Sequence, residues 1–109
     1  MKDNRILSPR QEVAAEANLY GALRGLQSTD ELRALFHDLC TPAELQALKD
    51  RWAVVELLDE GMTYRAIHDQ TGVSVTTVGR VARCLYDGKG GYRTALDRLQ
   101  ALTNDGPGQ

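Results

Sequence analysis

Side chains that can donate hydrogen bonds gather near the centre of the chain. Thr76, Arg80 and Arg83 share one side of a predicted helix. Ser74 supplies a hydroxyl at the start of that helix. Hydroxyl and guanidinium groups of this kind bind phosphate oxygens and the edges of nucleic-acid bases. Arg80 has no acidic residue three or four positions away, so its charge is free for an anion, whereas Asp87 is placed to pair with Arg83.

Two short helices joined by a tight turn would position these donors. The first is expected over residues 62–70, Gly72 can take the left-handed conformation of a sharp bend, and Ser74 can cap a second helix that runs to residue 87. The apolar residues of the second helix follow a 3.6-residue period and should face inward: Val78, Val81, Ala82 and Leu85. A buried back and a cationic front predict a helix-turn-helix over residues 62–87 that enters a groove of DNA.

Gly79 lies inside the predicted second helix. Glycine there destabilises the helix by about 1 kcal/mol relative to alanine. Close approach of another molecule to the helix backbone would explain its presence. The alternative is an ordinary helical hairpin whose polar face is only solvated.

The remaining helix starts are indicated by capping boxes. These are Ser8 with Gln11, Ser28 with Glu31 and Thr41 with Glu44, with prolines at positions 9 and 42. They predict helices near residues 9–26, 29–39 and 42–60, the last ended by Gly61, and a final helix is expected near 91–102. The fold class is therefore all-α with six helices in a single domain over residues 1–102, followed by a flexible tail over residues 103–109.

Apolar stripes run along the first three helices. The third helix should be central, because apolar residues cover much of its circumference: Leu45, Ala47, Leu48, Trp52, Val54, Val55, Leu57 and Leu58. The first helix carries Val13, Ala17, Tyr20 and Leu23, and the second carries Leu32, Leu35, Phe36 and Leu39. One helix can hardly cover all these stripes within a monomer. Exchange of the N-terminal helices in an intertwined homodimer would bury them.

The distribution of charge matters more than its sum. The chain has a net charge of −2, which is unusual for a nucleic-acid binder. Residues 1–60 hold 7 Lys or Arg against 11 Asp or Glu (7 − 11 = −4), whereas residues 61–109 hold 6 against 4 (6 − 4 = +2). The cationic half therefore contains the helix-turn-helix, and few phosphate contacts are expected.

The composition and the residue spacing argue against several other classes of protein. The chain lacks an apolar window of membrane-spanning length and a signal peptide, so a cytoplasmic protein without membrane contact is expected. Cys40 and Cys84 are too few for a disulfide framework. His37 lies three residues before Cys40, but no second pair has metal-ligand spacing, so no metal is expected. No nucleophile, base or carboxylate pair with catalytic spacing stands out, which predicts a protein that is not an enzyme.

Several of these positions resemble the Trp repressor superfamily. The resemblance is carried by Thr41-Pro42, Ala47-Leu48, Arg51, Val54-Val55-Glu56, Arg65, Gly72, Thr77 and Arg80, and it covers roughly residues 29–102. Within that superfamily the chain resembles the YerC/YecD-type branch, which shares the Asp-Leu-Cys-Thr-Pro and Gly-Gly-Tyr segments. The Trp repressor is itself a type example of a helix-turn-helix protein. The resemblance implies an intertwined homodimer that binds operator DNA.

The resemblance also implies which residues face DNA. They are Arg65 and His68 on the first hairpin helix and Val75, Thr76 and Gly79 on the second, and the cationic front adds Arg83. Arg65 could pair with a guanine edge, and His68 could reach a phosphate. The alternative for His68 is a half-exposed surface residue without a DNA contact.

A second implied site is a pocket for a small-molecule corepressor. In the Trp repressor, tryptophan lies between two arginines beside two threonines, and the matching positions are Thr41, Arg51, Thr77 and Arg80. Arg51 has no acidic partner three or four residues away, which suggests an anionic ligand or a carboxylate from a second subunit. L-Tryptophan itself is disfavoured, and the alternatives are another small carboxylate or no ligand at all. The repressor has glycine where this chain has Val81, which would crowd the indole, and serine where it has Cys84.

Together the residues and the resemblance predict a sequence-specific transcriptional regulator. It would be a repressor acting as a homodimer on a palindromic operator in double-stranded DNA. The alternative is a helical dimeric protein-interaction module without specific DNA binding. That module would need a large exposed apolar patch at residues 75–83.

Overall fold

The computed structural model describes residues 6–104, and this range contains six α-helices and no strand. The helices are α1 (Pro9–Arg24), α2 (Thr29–Leu39), α3 (Pro42–Asp59), α4 (Tyr64–Thr71), α5 (Val75–Asp87) and α6 (Gly91–Asn104). The predicted all-α class is confirmed. Each helix begins and ends within about two residues of its predicted bounds.

The chain divides into two compact units. The first ends at Pro42 and contains α1 and α2, and the second begins at Ala43 and contains the rest of α3 with α4, α5 and α6. The two units differ in their interiors, as described below. The single domain expected over residues 1–102 stays a prediction.

Both helices of the first unit have capped starts. At α1 the capping box is complete, since the Ser8 hydroxyl accepts from the Gln11 N–H at 3.2 Å and the Gln11 side chain accepts from the Ser8 N–H at 2.8 Å. At α2 the Ser28 hydroxyl accepts from the Glu31 N–H, but the Glu31 carboxylate accepts from the Gln27 N–H instead of closing the box.

Neither α1 nor α2 has a buried residue. Their predicted apolar stripes are largely exposed, with Val13 at 68% and Tyr20 at 51% on α1 and Leu39 at 52% on α2. Leu35 and Phe36 are half-buried. The stripes exist, but the chain by itself does not cover them.

The second unit has an apolar core to which all four of its helices contribute. The buried side chains are Val54, Val55 and Leu58 of α3, Ile67 of α4, Val78, Val81, Ala82 and Leu85 of α5, and Leu96 of α6. Half-buried residues, including Trp52 and Met62, pack against them. Complete burial of a side chain such as Ile67 stabilises the fold by roughly 2–3 kcal/mol before chain entropy is counted. Leu48, in the first half of α3, stays 41% exposed.

Gly61 ends α3, as predicted. Its φ is +88°, which favours glycine, and its N–H donates to the carbonyl oxygen of Leu58 at 2.9 Å. The next N–H, of Met62, donates to the carbonyl oxygen of Leu57 at 3.1 Å. This pair of bonds is a Schellman motif. It directs the chain into α4.

Polar contacts tie α6 to the end of α3. Asp59 accepts from the Arg93 guanidinium at 2.8 Å and from the Gln100 amide at 3.0 Å. The rings of Trp52 and Tyr92 lie 6.3 Å apart between centroids. α6 continues to Asn104 rather than ending near 102, and the rest of the predicted tail, residues 105–109, lies outside the described residues.

Candidate nucleic-acid interface

The hairpin of α4 and α5 is built from local hydrogen bonds. The Thr63 hydroxyl accepts from the Ala66 N–H at 3.1 Å and caps α4, a cap that sequence reasoning missed. Gly72 ends α4 with φ +79°, and its N–H donates to the His68 carbonyl oxygen at 2.8 Å. The left-handed turn predicted at Gly72 is confirmed.

Side chains form hydrogen bonds with other backbone groups of the turn. The Thr71 hydroxyl donates to the Ile67 carbonyl oxygen at 2.7 Å and accepts from the Val73 N–H at 3.0 Å. His68 Nδ1 lies 2.8 Å from the Val73 carbonyl oxygen. A carbonyl oxygen only accepts, so Nδ1 carries the hydrogen, and Nε2 is left for another partner. The angle between the two helices is therefore fixed by several bonds.

The start and the buried face of α5 match the prediction. The Ser74 hydroxyl accepts from the Thr77 N–H at 3.1 Å and donates to the Thr77 hydroxyl oxygen at 3.0 Å. The four predicted inward residues, Val78, Val81, Ala82 and Leu85, are all buried. Four core residues thus hold α5 in place from behind.

The opposite face of α5 carries the predicted donors. Thr76, Arg80 and Arg83 are exposed, and so is Arg65 on α4. Within residues 6–104 no ion pair uses any of these arginines. The pairing of Arg83 with Asp87 expected from their spacing is therefore absent. Three guanidinium groups are free for an anionic partner.

An open groove of about 600 Å³ lies over this outer face. It brings together five of the predicted site residues, namely Val75, Thr76, Gly79, Arg80 and Arg83, with Ala82, Asp87 and two tyrosines. Neither Arg65 nor His68 lines it. The tyrosines are Tyr64, at the first position of α4, and Tyr86, in the last turn of α5. We call this feature the outer groove.

Gly79 gives the outer groove its depth. A Cβ built on Gly79 would meet only Cε2 of Tyr64 within 4 Å, at an ordinary contact distance of 3.8 Å. The fold therefore has room for alanine at this position and would gain helix stability from it. No contact within the described chain requires glycine there.

A second cavity, of about 560 Å³, lies on another side of α5. It brings together three of the four predicted ligand residues, Arg51, Thr77 and Arg80. Val81 and Cys84 also line it, as the resemblance implied. Thr41 belongs to the first unit. We call this feature the inner pocket, and Arg80 lines both it and the outer groove.

Sequence reasoning missed several residues that line these two features, among them two tyrosines and an aspartate. Tyr86 lies seven residues after Gly79, a helical repeat that would have placed both on one stripe. Tyr64 follows the cap residue of α4 and had no comparable signal. Asp50 lines the inner pocket, where it accepts a hydrogen bond from Gln46 at 2.9 Å. Its carboxylate reduces the positive charge beside Arg51.

Residues 6–104 offer neither a metal site nor a membrane-spanning helix. No group of three His, Cys, Asp or Glu side chains in that range could hold a metal ion. No helix of the described part of the chain is long and apolar enough to cross a membrane.

Known proteins share this arrangement of helices. The sequence model of the family described as "Trp repressor protein" matches residues 16–100. The uncharacterized protein YerC of Bacillus subtilis (strain 168) is 42% identical over 82 residues, which are 75% of this chain and 79% of that protein. The resemblance to this branch is confirmed.

Solved structures agree with the sequence matches. A Staphylococcus aureus protein provisionally assigned as a Trp repressor superposes with a TM-score of 0.76 at 33% identity, covering 86% of this chain and 96% of its own. A TrpR-like protein from Eubacterium eligens ATCC 27750 superposes with a TM-score of 0.77 at 34% identity, covering 85% of this chain and 96% of its own.

Proposed function

The chain belongs to the Trp repressor family, and from that premise we propose that it is a sequence-specific DNA-binding transcriptional regulator that acts as a homodimer. The family and its fold are those of regulators rather than enzymes. One observation carries the proposal. The back of α5 is locked into the core, while its front presents unpaired arginines and a hydroxyl around a glycine-floored groove.

The proposed DNA contacts divide into two kinds. Arg65 reads a guanine edge through two hydrogen bonds, and Val75 and Thr76, at the start of α5, approach base edges. Gly79 lets the duplex come close to the helix, and Arg83 pairs with a phosphate. The first kind of contact sets sequence preference, and the second sets general affinity.

His68 has a structural task as well as its proposed phosphate contact. Its Nδ1–H is used by the Val73 carbonyl oxygen, so only Nε2 can reach DNA. Nε2 donates to a phosphate oxygen only when the ring is protonated. The proposed contact of His68 with phosphate is therefore that of an imidazolium.

The homodimer is supported by the exposed stripes of the first unit. α1 and α2 have no buried residue, although each carries apolar side chains at helical spacing. Apolar faces of this kind are covered in stable proteins. Exchange of these helices between two chains would cover them and would present two α5 helices to successive turns of the major groove.

Repression by occupying a palindromic operator follows from that geometry. A two-fold symmetric dimer reads a two-fold symmetric sequence, and its half-sites lie about one helical turn apart. Occupancy of such a site blocks other proteins from the same DNA. A regulator of this kind works in the cytoplasm, where its DNA is.

The alternative, a protein-interaction module, needs an apolar patch at residues 75–83. Val75 is the one large hydrophobic side chain that is exposed in this segment, and its neighbours on the surface are Thr76, Arg80 and Arg83. Such a face suits a polyanion better than an apolar protein surface. The DNA-binding proposal is therefore preferred.

The inner pocket is the proposed place for a small-molecule corepressor. Its unpaired Arg51 and Arg80 suit a small carboxylate, and the Thr77 hydroxyl can still donate a hydrogen bond. L-Tryptophan is not the expected ligand, because Val81 and Cys84 occupy the wall. Isothermal titration with L-tryptophan should show no micromolar binding, and a clear micromolar isotherm would contradict this proposal.

Substitution of Arg65 tests the assignment of function. Arg65→Ala should reduce discrimination at one base pair of each half-site by about 1–3 kcal/mol while leaving the dimer intact. The matched control is Arg98→Ala, which removes an exposed arginine of α6 outside the outer groove and should leave discrimination unchanged. Competition binding with single-base variants of a selected duplex measures both. An equal loss of affinity for every sequence would make Arg65 a phosphate contact instead.

A further inference from the structure

The outer groove has a tyrosine at each end, and the fold uses neither hydroxyl. Tyr64 is 44% exposed and Tyr86 is 65% exposed, and both line the groove. Within residues 6–104 neither hydroxyl has a hydrogen-bond partner. Two aromatic side chains with free hydroxyls thus converge on the surface that also carries Arg80 and Arg83.

The other two tyrosines of the chain have evident structural contacts. The Tyr20 hydroxyl donates to a Glu16 carboxylate oxygen at 2.6 Å, and this hydrogen bond raises the pKa of Tyr20. Tyr92 is half-buried, and its ring lies against Trp52. Within residues 6–104 the hydroxyls of Tyr64 and Tyr86 differ from that of Tyr20 in having no hydrogen-bond partner, and these two tyrosines differ from Tyr92 in lining the outer groove.

The two groove tyrosines reach the groove from positions that are farther apart along the helix axis than successive phosphates are along one DNA strand. Gly79, Arg83 and Tyr86 follow i, i+4, i+7 and lie on one stripe of α5. A Cβ built on Gly79 would lie 3.8 Å from Cε2 of Tyr64, and Gly79 precedes Tyr86 by seven residues, which rise about 10 Å along the helix axis. The rise between phosphates of one strand is about 3.4 Å. Because the two side chains reach the groove from positions this far apart on the backbone, we expect each hydroxyl to meet a different phosphate.

We propose that Tyr64 and Tyr86 are DNA-backbone contacts, one at each end of the outer groove. Each hydroxyl donates a hydrogen bond to a different phosphate oxygen, and Arg83 pairs with a phosphate between them. The Asp87 carboxylate lies at the Tyr86 end of the groove, where it repels phosphates and ends the footprint. This inference rests on the proposed DNA-binding function. It adds contacts that fix the position of α5 without reading sequence.

Removal of the hydroxyls alone tests the inference, because phenylalanine keeps the ring. The full-length variants Tyr64→Phe and Tyr86→Phe are compared with Thr94→Val, which removes an exposed hydroxyl of α6 that lies outside the groove and outside the stripes of α1 and α2. The probes are a 30-base-pair duplex of random sequence and a duplex selected by the wild-type protein. Fluorescence anisotropy over a range of salt concentrations gives the affinity and its salt dependence, and circular dichroism confirms that the variants fold.

Each groove variant should bind both duplexes at least about tenfold more weakly, because the proposed homodimer loses a hydrogen bond to a charged phosphate in each of its subunits. The salt dependence should not change, because no charge is removed. Arg83→Ala should instead lower the slope of the salt dependence by about two, because each subunit of the proposed homodimer loses one phosphate contact. Thr94→Val should bind like the wild-type protein.

Three results would overturn the inference. Unchanged affinity of both groove variants would show that the hydroxyls do not touch DNA. A loss confined to the selected duplex would make the tyrosines base readers. Failure of the wild-type protein to bind either duplex would overturn the proposed function together with this inference, whereas the first two results leave the proposed function standing.

Discussion

α1 and α5 are both amphipathic helices capped by a serine, yet the chain uses them in opposite ways. α5 buries its apolar stripe in the core of the second unit and exposes its polar face. α1 exposes its apolar stripe and has no buried residue. A 3.6-residue period therefore predicts that a face will be covered, but not which molecule covers it.

The contrast matters for function. Because α5 is fixed from behind, its front can be a binding surface without loss of the helix. α1 has no buried residue to support it in this way, and its apolar face, like that of α2, needs a partner to cover it. We infer that α5 carries the DNA contacts and that α1 carries the dimer contacts.

The largest expected effect comes from a charge on the α1 stripe. Val13→Asp would place a carboxylate in the proposed dimer interface twice, once for each subunit, and should raise the dimer dissociation constant by about a hundredfold or more. The matched control, Asn18→Asp, adds the same charge off the stripe and should leave the dimer intact. Analytical ultracentrifugation measures both. A wild-type protein that stays monomeric at high concentration would contradict the proposal that α1 forms dimer contacts.

A smaller effect is expected from the core side of α5. Val78→Ala removes two methyl groups from a fully buried position and should lower the free energy of unfolding by about 2 kcal/mol. Val75→Ala, on the same helix but 43% exposed, should change it by less than about 0.5 kcal/mol. Urea denaturation followed by circular dichroism compares them. Equal effects would mean that α5 is not held from behind.

A third and smaller effect than those of Val13→Asp and Val78→Ala is expected from two glycines, Gly79 of α5 and Gly21 of α1. Gly79→Ala and Gly21→Ala should each raise the free energy of unfolding by about 0.5–1 kcal/mol, because neither new Cβ meets a close atom. Only Gly79→Ala should weaken DNA binding, by about fivefold or more, since the methyl group fills the floor of the outer groove. An unchanged DNA affinity of Gly79→Ala would contradict the proposed close approach of DNA to the backbone at Gly79.

Local signals in the sequence predicted the helices and the hairpin well. The Ser8 capping box, the left-handed turn at Gly72 and the inward face of α5 each depend on residues a few positions apart. For the same reason the arginines of α5 were placed correctly on its exposed side. Short-range geometry decides these features, so a single sequence contains them.

Features that depend on distant residues were harder to predict. Tyr64 joins the outer groove only because the hairpin folds α4 against α5 near Gly79. The Glu31 carboxylate accepts a hydrogen bond from the Gln27 N–H rather than closing the Ser28 capping box, and Arg83 forms no ion pair with Asp87. Several partners of similar energy are available to an exposed side chain, so either outcome is possible. Spacing alone cannot rank such partners.

Selection of DNA from a random duplex library tests the central claim most directly. The wild-type protein should enrich a roughly palindromic sequence whose half-sites lie about one helical turn apart, because two α5 helices read successive turns of the major groove. Failure to enrich any sequence above the starting library would contradict the assignment of this chain as a sequence-specific DNA-binding dimer.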